Sequence, residues 1–218
     1  SFPLERFSQR SDLERGALAV APPGNLAGWC ELNRTYGRLS LAEIFAPAIA
    51  LAADGFPIAE FGVAEFNEQA PLLRERPELH ADWAKNYLPD GSDTVELGQI
   101  LRQPDLARTL SEIAAKGPEH FYRGALGETV IAHLKAKGGT LTMADLAKVA
   151  PRWREPIAAA YRDRLVHVPP PACEGFQFLL TLRILDGFDL AGLERNGAEH
   201  LDIVYRAIRL AAGQRIAH

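Results

Sequence analysis

The 218-residue chain carries a net charge of −4, with 47% hydrophobic and 24% charged residues, which is ordinary for a globular protein. Basic residues are outnumbered and form no cluster interleaved with aromatic side chains, which argues against a nucleic-acid-binding protein. The longest apolar stretches are about ten residues, whereas a membrane-spanning helix needs about 20. The composition therefore predicts a soluble protein with a sizeable core and no membrane span.

Helix signals dominate the first two thirds of the chain. The sequence predicts an amphipathic helix from Asn25 to Tyr36, and then a second helix that begins after Ser40 and ends at Gly55. Ser40 and Glu43 have the spacing of a capping box. Pro47 lies inside this second helix, where we expect a kink.

The next part of the chain is rich in Pro, Gly and Asp, so residues 68–100 are expected to form short pieces. Within it, "RERPELHADW" is interpreted as an exposed surface segment that breaks helices, and "YLPDG" as a turn. A regular helix is predicted to begin at Pro104 and to stop at Gly117.

Three further helix starts follow in quick succession. Pro118 begins one helix, and "GALGETVIAHLKAKGG" supplies another that ends at Gly138 and Gly139. Thr142 and Asp145 have the spacing of a further helix start.

The pattern changes after Arg154. Alternation between Tyr161 and Val168 around the charged turn "RDR" predicts a hairpin. Asn196 and Glu199 are expected to form a capping box for the last helix. The buried face of that helix is predicted to carry four apolar side chains, which are Leu201, Val204, Ile208 and Ala211. The outward face is predicted to carry Arg206 and Arg209.

The stretch "VPPPACEGFQ", residues 168–177, allows two interpretations. Cys173 near a helix N-terminus would have its thiolate favoured, which suits a nucleophile. Three prolines instead favour a stiff connector into a helix that begins near Gly175, and they direct His167 away from the thiol. We prefer the connector, and we interpret Cys30 as a small buried hydrophobic residue.

Other candidate chemical groups are sparse. The six histidines show no HExxH motif and no i,i+4 pairing, and the two cysteines have no zinc-site spacing, so neither a metal site nor a cofactor is predicted. The carboxylate pairs Glu5 with Asp12 and Asp186 with Asp189 are interpreted as caps and solvated charges.

Several segments, taken together, resemble successive signatures of the gamma-glutamyltranspeptidase family. They are "APPGNLAGWCELNRTYGRLSLAEIFAPAIALAADGFPI", "LRQPDLARTLSEIAAKGPEHFYRG", "GGTLTMADLA", "WREPIAAAYRDRLVHVPPP" and "ILDGFDLAG". Their order and spacing match the family from about residue 19 onwards.

This resemblance implies an α+β fold, the mostly helical portion of an αββα N-terminal-nucleophile hydrolase sandwich. It also implies one domain over residues 1–218, a fragment of the large subunit without its N-terminal part and without the small subunit. In the family the nucleophile is a Thr that becomes the first residue of the small subunit, with its own α-amino group as general base. Neither Arg6 nor Arg10 matches the family's carboxylate-binding arginine, so no catalytic residue is assigned to this chain.

The function implied by the resemblance is gamma-glutamyl transfer or glutathione hydrolysis by a complete, self-processed protein, with this chain alone inactive. The implied partners are the small subunit of the same precursor and a small gamma-glutamyl or amide substrate. Alternatives are an acylase of another amide, of the cephalosporin or poly-gamma-glutamate type, and a catalytically silent homologue or packing subunit. Family members are typically exported, so a periplasmic or secreted protein is expected, with a cytoplasmic one as the alternative.

The resemblance also bears on the proline loop, which occupies the place of the family's "PPPSSGG". Ala172 and Cys173 stand where two serines are usual, and Glu174 stands where the first glycine is usual, ahead of Gly175. Two hydroxyl donors and some backbone freedom are therefore missing from the family's usual loop. No substrate-binding residue is assigned, and these four residues are the candidate loop, in which the replacements would alter the family's substrate or subunit contact.

Overall fold

A computed structural model describes residues 14, 16–88 and 92–217. The chain divides into two compact units, one up to Pro151 and one from Arg152. The single domain expected from the sequence stays a prediction. Residues before Glu14, among them Glu5, Arg6, Arg10 and Asp12, lie outside the described part, as do three residues of the "YLPDG" turn.

The first unit is built from helices, with one short strand pair. The helices are α1 (Asn25–Tyr36), α2 (Leu41–Asp54), α3 (Glu60–Arg74), α4 (Pro77–Tyr87), α5 (Pro104–Lys116), α6 (Glu119–Tyr122), α7 (Ala125–Ala136) and α8 (Met143–Ala147). Strands β1 (Phe56–Pro57) and β2 (Ile100–Leu101) pair antiparallel.

The predicted boundaries of α2 are confirmed. The Ser40 hydroxyl accepts the Glu43 N–H at 3.2 Å, and the Glu43 carboxylate accepts the Ser40 N–H at 2.8 Å, which completes the capping box. The helix continues through Pro47. It ends at Gly55, whose φ of 91° and close approach to β2 require glycine, because a Cβ there would lie 2.5 Å from Ile100 Cγ2.

The expectation of short pieces over residues 68–100 is wrong. Helix α3 runs through Pro71 to Arg74. The segment "RERPELHADW" does separate two helices, because α3 ends at its first residue, but from Pro77 onwards it belongs to α4. Pro77 occupies the first turn of α4. Backbone N–H groups there make no intrahelical hydrogen bond, so the helix loses nothing from the missing N–H of proline. Trp83 in the same segment packs against one buried cluster of the unit, which comprises Ile58, Leu88, Val95 and Leu101.

A second buried cluster joins α1, α6 and α8 through Ala27, Tyr122 and Leu146. The predicted helix starts nearby are confirmed, because Pro118 precedes α6 and the Thr142 hydroxyl accepts the Asp145 N–H at 3.2 Å. Leu146 is completely buried, which places the short helix α8 firmly in this cluster.

The second unit combines a hairpin with two helices. Strands β3 (Ile157–Tyr161) and β4 (Arg164–Val168) pair antiparallel, with Ile157 opposite Val168, as the predicted hairpin requires. Helix α9 (Gly175–Leu185) packs against both strands, and α10 (Ala198–Ala217) packs against α9. The turn residue Arg162 has a φ of 54°, and its N–H donates to the Asp186 carboxylate at 3.0 Å.

The predicted N-cap of α10 is wrong, and its predicted buried face is confirmed only in part. The helix begins at Ala198, one residue too late for Asn196 to be its N-cap, and Asn196 has a φ of 64°. Ala211 is buried as predicted, but Leu201 and Ile208 are 51% and 44% exposed, and Ala207 is buried instead. Arg206 and Arg209 are exposed, as predicted. The predicted set of apolar residues and the set that is actually buried both have helical spacing. Periodicity alone therefore did not reveal which of the two sets would be buried.

Candidate functional site

The proline loop links β4 to α9 in the second unit. After Val168 come three prolines, and α9 begins at Gly175, as predicted. Within the loop the Cys173 N–H donates to the Pro170 carbonyl at 3.2 Å, and the Gln177 N–H donates to the Glu174 carbonyl at 3.0 Å. These two bonds close the turn and start the first turn of the helix.

Gly175 is the point of closest approach between the loop and the hairpin. A Cβ at this position would lie 2.7 Å from Val168 Cβ and 2.8 Å from its Cγ2. Such distances are too short for any side chain, so the start of α9 can lie against β4 only with glycine at 175. The last of the four candidate loop positions therefore has a packing role.

Glu174 has an ion-pair partner near the C-terminal end of the second unit. Its carboxylate forms an ion pair with the guanidinium of Arg215, on the last turn of α10. This contact links the start of α9 to the end of α10. It was not predicted from the sequence, since the two residues are 41 positions apart.

Ala172 and Cys173 are exposed, and Cys173 is a free cysteine. Its thiol has no hydrogen-bond partner in the part of the chain that the structure describes, so no base is held against it. Cys30 is partly buried, and burial raises the pKa of its thiol, which suits a packing residue. Neither cysteine has the surroundings of an activated nucleophile.

An open groove of about 670 Å³ lies beside the loop. One side is the irregular segment from Arg152 to Pro156, and the other runs from His167 to Cys173. Arg152, Trp153 and Arg154 thus face the candidate loop residues Ala172 and Cys173 across one concave surface. The sequence motifs did not predict that Arg152, Trp153 and Arg154 would line a groove with the proline loop.

The remaining polar candidates have structural roles. The Asp186 carboxylate accepts the Arg162 N–H, and the Asp189 carboxylate accepts the Gly192 N–H at 3.3 Å in a 3₁₀ turn. Within residues 14, 16–88 and 92–217 there is no group of three His, Cys, Asp or Glu residues that could hold a metal ion. In the same ranges no helix is long and apolar enough to cross a membrane.

Comparison with known proteins gives this geometry a context. Residues 2–218 match the family model described as gamma-glutamyltranspeptidase. Glutathione hydrolase proenzyme 1 of Schizosaccharomyces pombe is 37% identical over 194 residues, which cover 86% of this chain and 29% of that protein. The Acylase ACY 1 proenzyme of Pseudomonas sp. (strain V22) is 36% identical over 201 residues, which cover 92% of this chain and 35% of that protein.

Among solved structures, the gamma-glutamyltranspeptidase of Helicobacter pylori superposes with a TM-score of 0.83 at 29% identity, over 95% of this chain and 58% of that chain. This similarity confirms the α+β class, the mostly helical portion of an N-terminal-nucleophile hydrolase fold. The chain spans about a third of the length of the curated relatives it matches. A family match over nearly every residue, together with these relatives, shows that the chain belongs to the gamma-glutamyltranspeptidase family.

Proposed function

We propose that the full-length protein containing this chain transfers or hydrolyses gamma-glutamyl groups, as glutathione hydrolases do. The observation that carries the proposal is the family match over residues 2–218. The chain contributes large-subunit scaffold to the complete enzyme. Its closest partner would be a second polypeptide cut from the same precursor, in line with the name proenzyme that its relatives carry.

The chemistry of the proposal is acyl transfer to an N-terminal Thr. Its hydroxyl attacks the gamma-carbonyl, its own α-amino group takes the proton, and the amine of the donor leaves. Water or an acceptor amine then attacks the resulting ester and regenerates the hydroxyl. Each step passes through an oxyanion that needs fixed N–H donors. We place the Thr and these donors in the second polypeptide, outside the 218 residues.

The proline loop has a supporting role in this proposal. Gly175 sets the contact between β4 and α9, and Glu174 ties the loop to α10 through Arg215. Ala172 and Cys173 offer neither a base nor a hydroxyl at the place of the family's two serines. We therefore propose that positions 172–175 act as a connector that fixes the edge of the scaffold.

The test uses the full-length protein, expressed from its complete gene. Mass spectrometry of the purified sample should find two polypeptides, and N-terminal sequencing of the second should begin with Thr. Chromophore release from gamma-glutamyl p-nitroanilide is then measured on this protein, on a variant with that Thr replaced by Ala, and on the 218-residue chain alone. We expect turnover only in the first sample, because only it has nucleophile, base and oxyanion donors together. Turnover by the 218-residue chain free of any second polypeptide would contradict the proposal.

A related acylase activity is the second candidate. It is favoured by the 36% identity to the Acylase ACY 1 proenzyme and by the departure of Ala172, Cys173 and Glu174 from the family's usual loop. Glutaryl p-nitroanilide differs from the gamma-glutamyl compound only by lacking the α-amino group, so it separates the two activities. A strong preference for the glutaryl compound would indicate the acylase. A processed protein without turnover of either compound would indicate a silent homologue.

A further inference from the structure

The groove beside the proline loop has the dimensions of a small-molecule site. Its volume of about 670 Å³ lies within the range of roughly 300–1,000 Å³ that is usual for ligand pockets. Three consecutive prolines form part of one wall, from Pro169 to Pro171, and their fixed φ angles limit how far that wall can adapt. A rigid wall lowers the entropy lost when a ligand binds.

The charge of the groove is positive. Arg152 and Arg154 both line it, and both are exposed. Within the described residues neither guanidinium forms an ion pair or a side-chain hydrogen bond. His167 lines the opposite side, so three nitrogen-bearing side chains converge on one surface.

Among the described residues, no acidic side chain lines the groove. Glu155 lies between Arg154 and Pro156 in the chain but does not line the groove. Glu174, next to Cys173, has its carboxylate in an ion pair with Arg215. Since a guanidinium presents paired N–H donors that match a carboxylate, an organic anion complements this surface best.

The groove also offers apolar and aromatic surface. Trp153 is 58% exposed between the two arginines in sequence, and Pro156 and Ala172 add apolar surface beside it. An indole ring and proline rings offer surfaces that bind planar or aliphatic groups. A ligand with one carboxylate and a short apolar portion would use both kinds of surface.

We propose that the groove between Arg152–Pro156 and His167–Cys173 is a binding site for a small organic carboxylate with an apolar portion. The carboxylate is held by Arg152 and Arg154, and the apolar portion lies on Trp153 and the proline wall. This binding involves no covalent step. It goes beyond the proposed acyl transfer and does not depend on the nucleophile.

The experiment uses the full-length protein and two probes of nearly the same shape, 4-phenylbutyrate and 4-phenylbutylamine. Isothermal titration calorimetry gives each Kd. We expect the carboxylate to bind at least about tenfold more tightly than the amine, because a charge-assisted bond to arginine is replaced by repulsion. The preference should weaken at high salt, since exposed ionic contacts are screened.

Cys173 provides a local readout, because its exposed thiol lines the groove. Its rate of alkylation by neutral iodoacetamide, followed by peptide mass spectrometry, should fall when 4-phenylbutyrate is present. The double variant Arg152→Gln/Arg154→Gln should lose at least about tenfold in affinity and should lose this protection. The matched control Arg183→Gln/Arg195→Gln removes the same charge from exposed positions outside the groove and should bind as the unaltered protein does.

Three results would overturn the proposal. The first is equal binding of the two probes to the unaltered protein, a comparison that needs no variant to fold. The second is carboxylate binding that leaves Cys173 unprotected or survives the loss of both arginines, which would place the ligand elsewhere. The third is a Cys173 thiol that iodoacetamide does not reach in the free full-length protein, which would mean that another segment of the chain covers the groove.

Discussion

The hydroxyl of Tyr122 accepts the N–H of Ala27 at 3.0 Å and donates to the carbonyl of Pro23 at 2.8 Å. Ala27 lies in the first turn of α1, where backbone N–H groups have no intrahelical partner. The N-cap residue of α1 is Gly24, which has no side chain to cap them. A side chain from α6, 95 residues away, therefore supplies the missing cap.

Replacing Tyr122 by Phe should lower the stability of the protein. The ring would keep its packing, but a buried N–H and a carbonyl would lose their partner, at a cost of about 1–3 kcal/mol. The melting temperature of the full-length protein measures the loss. Tyr87→Phe is the matched control, because among the described residues the Tyr87 hydroxyl has no hydrogen-bond partner. Equal melting temperatures for the two variants would contradict the remote cap.

Replacing Gly175 by Ala should destabilise the second unit. The new methyl group would overlap Val168, and relieving the overlap is expected to cost about 1–3 kcal/mol. Gly213→Ala is the matched control, because a Cβ on that helical glycine meets nothing within 4 Å and should be neutral or slightly stabilising. Chemical denaturation of both variants gives the comparison. A stable Gly175→Ala protein would show that the contact between β4 and α9 is looser than described.

Aspartate substitutions on α10 should separate its two faces. Ala211 is completely buried, so Ala211→Asp places an unpaired charge in the core and should cost several kcal/mol. Leu201→Asp, at a position that is 51% exposed, should cost less than about 1 kcal/mol. Thermal unfolding distinguishes the two. If Leu201→Asp were as costly as Ala211→Asp in the full-length protein, another part of that protein would bury Leu201.

Under the proposed function, replacing Cys173 by Ser should change the activity of the full-length protein by no more than a few fold. A connector position makes no contact with the developing charge, whereas removing a nucleophile or an oxyanion donor costs about 100-fold or more in kcat. The measurement is kcat on a gamma-glutamyl anilide. A loss of that larger size would restore Cys173 as a candidate nucleophile.

The capping box of α8 should stabilise the protein by an amount that depends on pH. Hydrogen bonds from the Thr142 hydroxyl, and then from its backbone N–H, lower the pKa of Asp145 below its usual value. A carboxyl whose pKa is depressed by folding stabilises the protein above the unfolded value of about 3.9, and this stabilisation is lost as pH falls through the folded value.

Asp145→Asn should therefore be less stable than the unaltered protein at pH 6, and the difference should shrink as the pH is lowered towards 3. Urea unfolding at several pH values gives the comparison. The control is Asp163→Asn, in the exposed hairpin turn, where the carboxylate caps no helix. A difference that stays constant with pH would show that the Asp145 carboxylate is not responsible.

Local signals in the sequence predicted most element boundaries. Ser40 with Glu43 and Thr142 with Asp145 mark helix starts by contacts within four residues, so the sequence contains all the information needed. Pro77 misled the prediction because the same residue breaks a helix in its interior and begins one at its first turn. The side of α10 that packs on α9 depended on a distant surface, which periodicity alone does not reveal.

In the candidate site, too, the local features were predicted from the sequence and the long-range contacts were not. Gly175 was correctly placed at the start of α9, because glycine and the prolines before it act on the local backbone. The pairing of Glu174 with Arg215 and the meeting of Arg152 and Arg154 with the proline loop were missed. These contacts join segments that only the folded chain brings together, so only a structure or an alignment of related chains could reveal them.

The hydrogen bond between Arg162 and Asp186 bears on the order in which the parts of the second unit fold. It closes the hairpin tip onto the end of α9 across only 24 residues, and the Arg162 guanidinium adds a bond to the Phe188 carbonyl at 2.6 Å. At the opposite end of the contact between the hairpin and α9, Gly175 lies against Val168, which is only seven residues earlier in the sequence. Contacts of such low sequence separation form quickly, because little loop entropy is lost in closing them. The hairpin and α9 can therefore assemble on the ribosome as soon as residue 188 has emerged from the exit tunnel, before α10 has emerged.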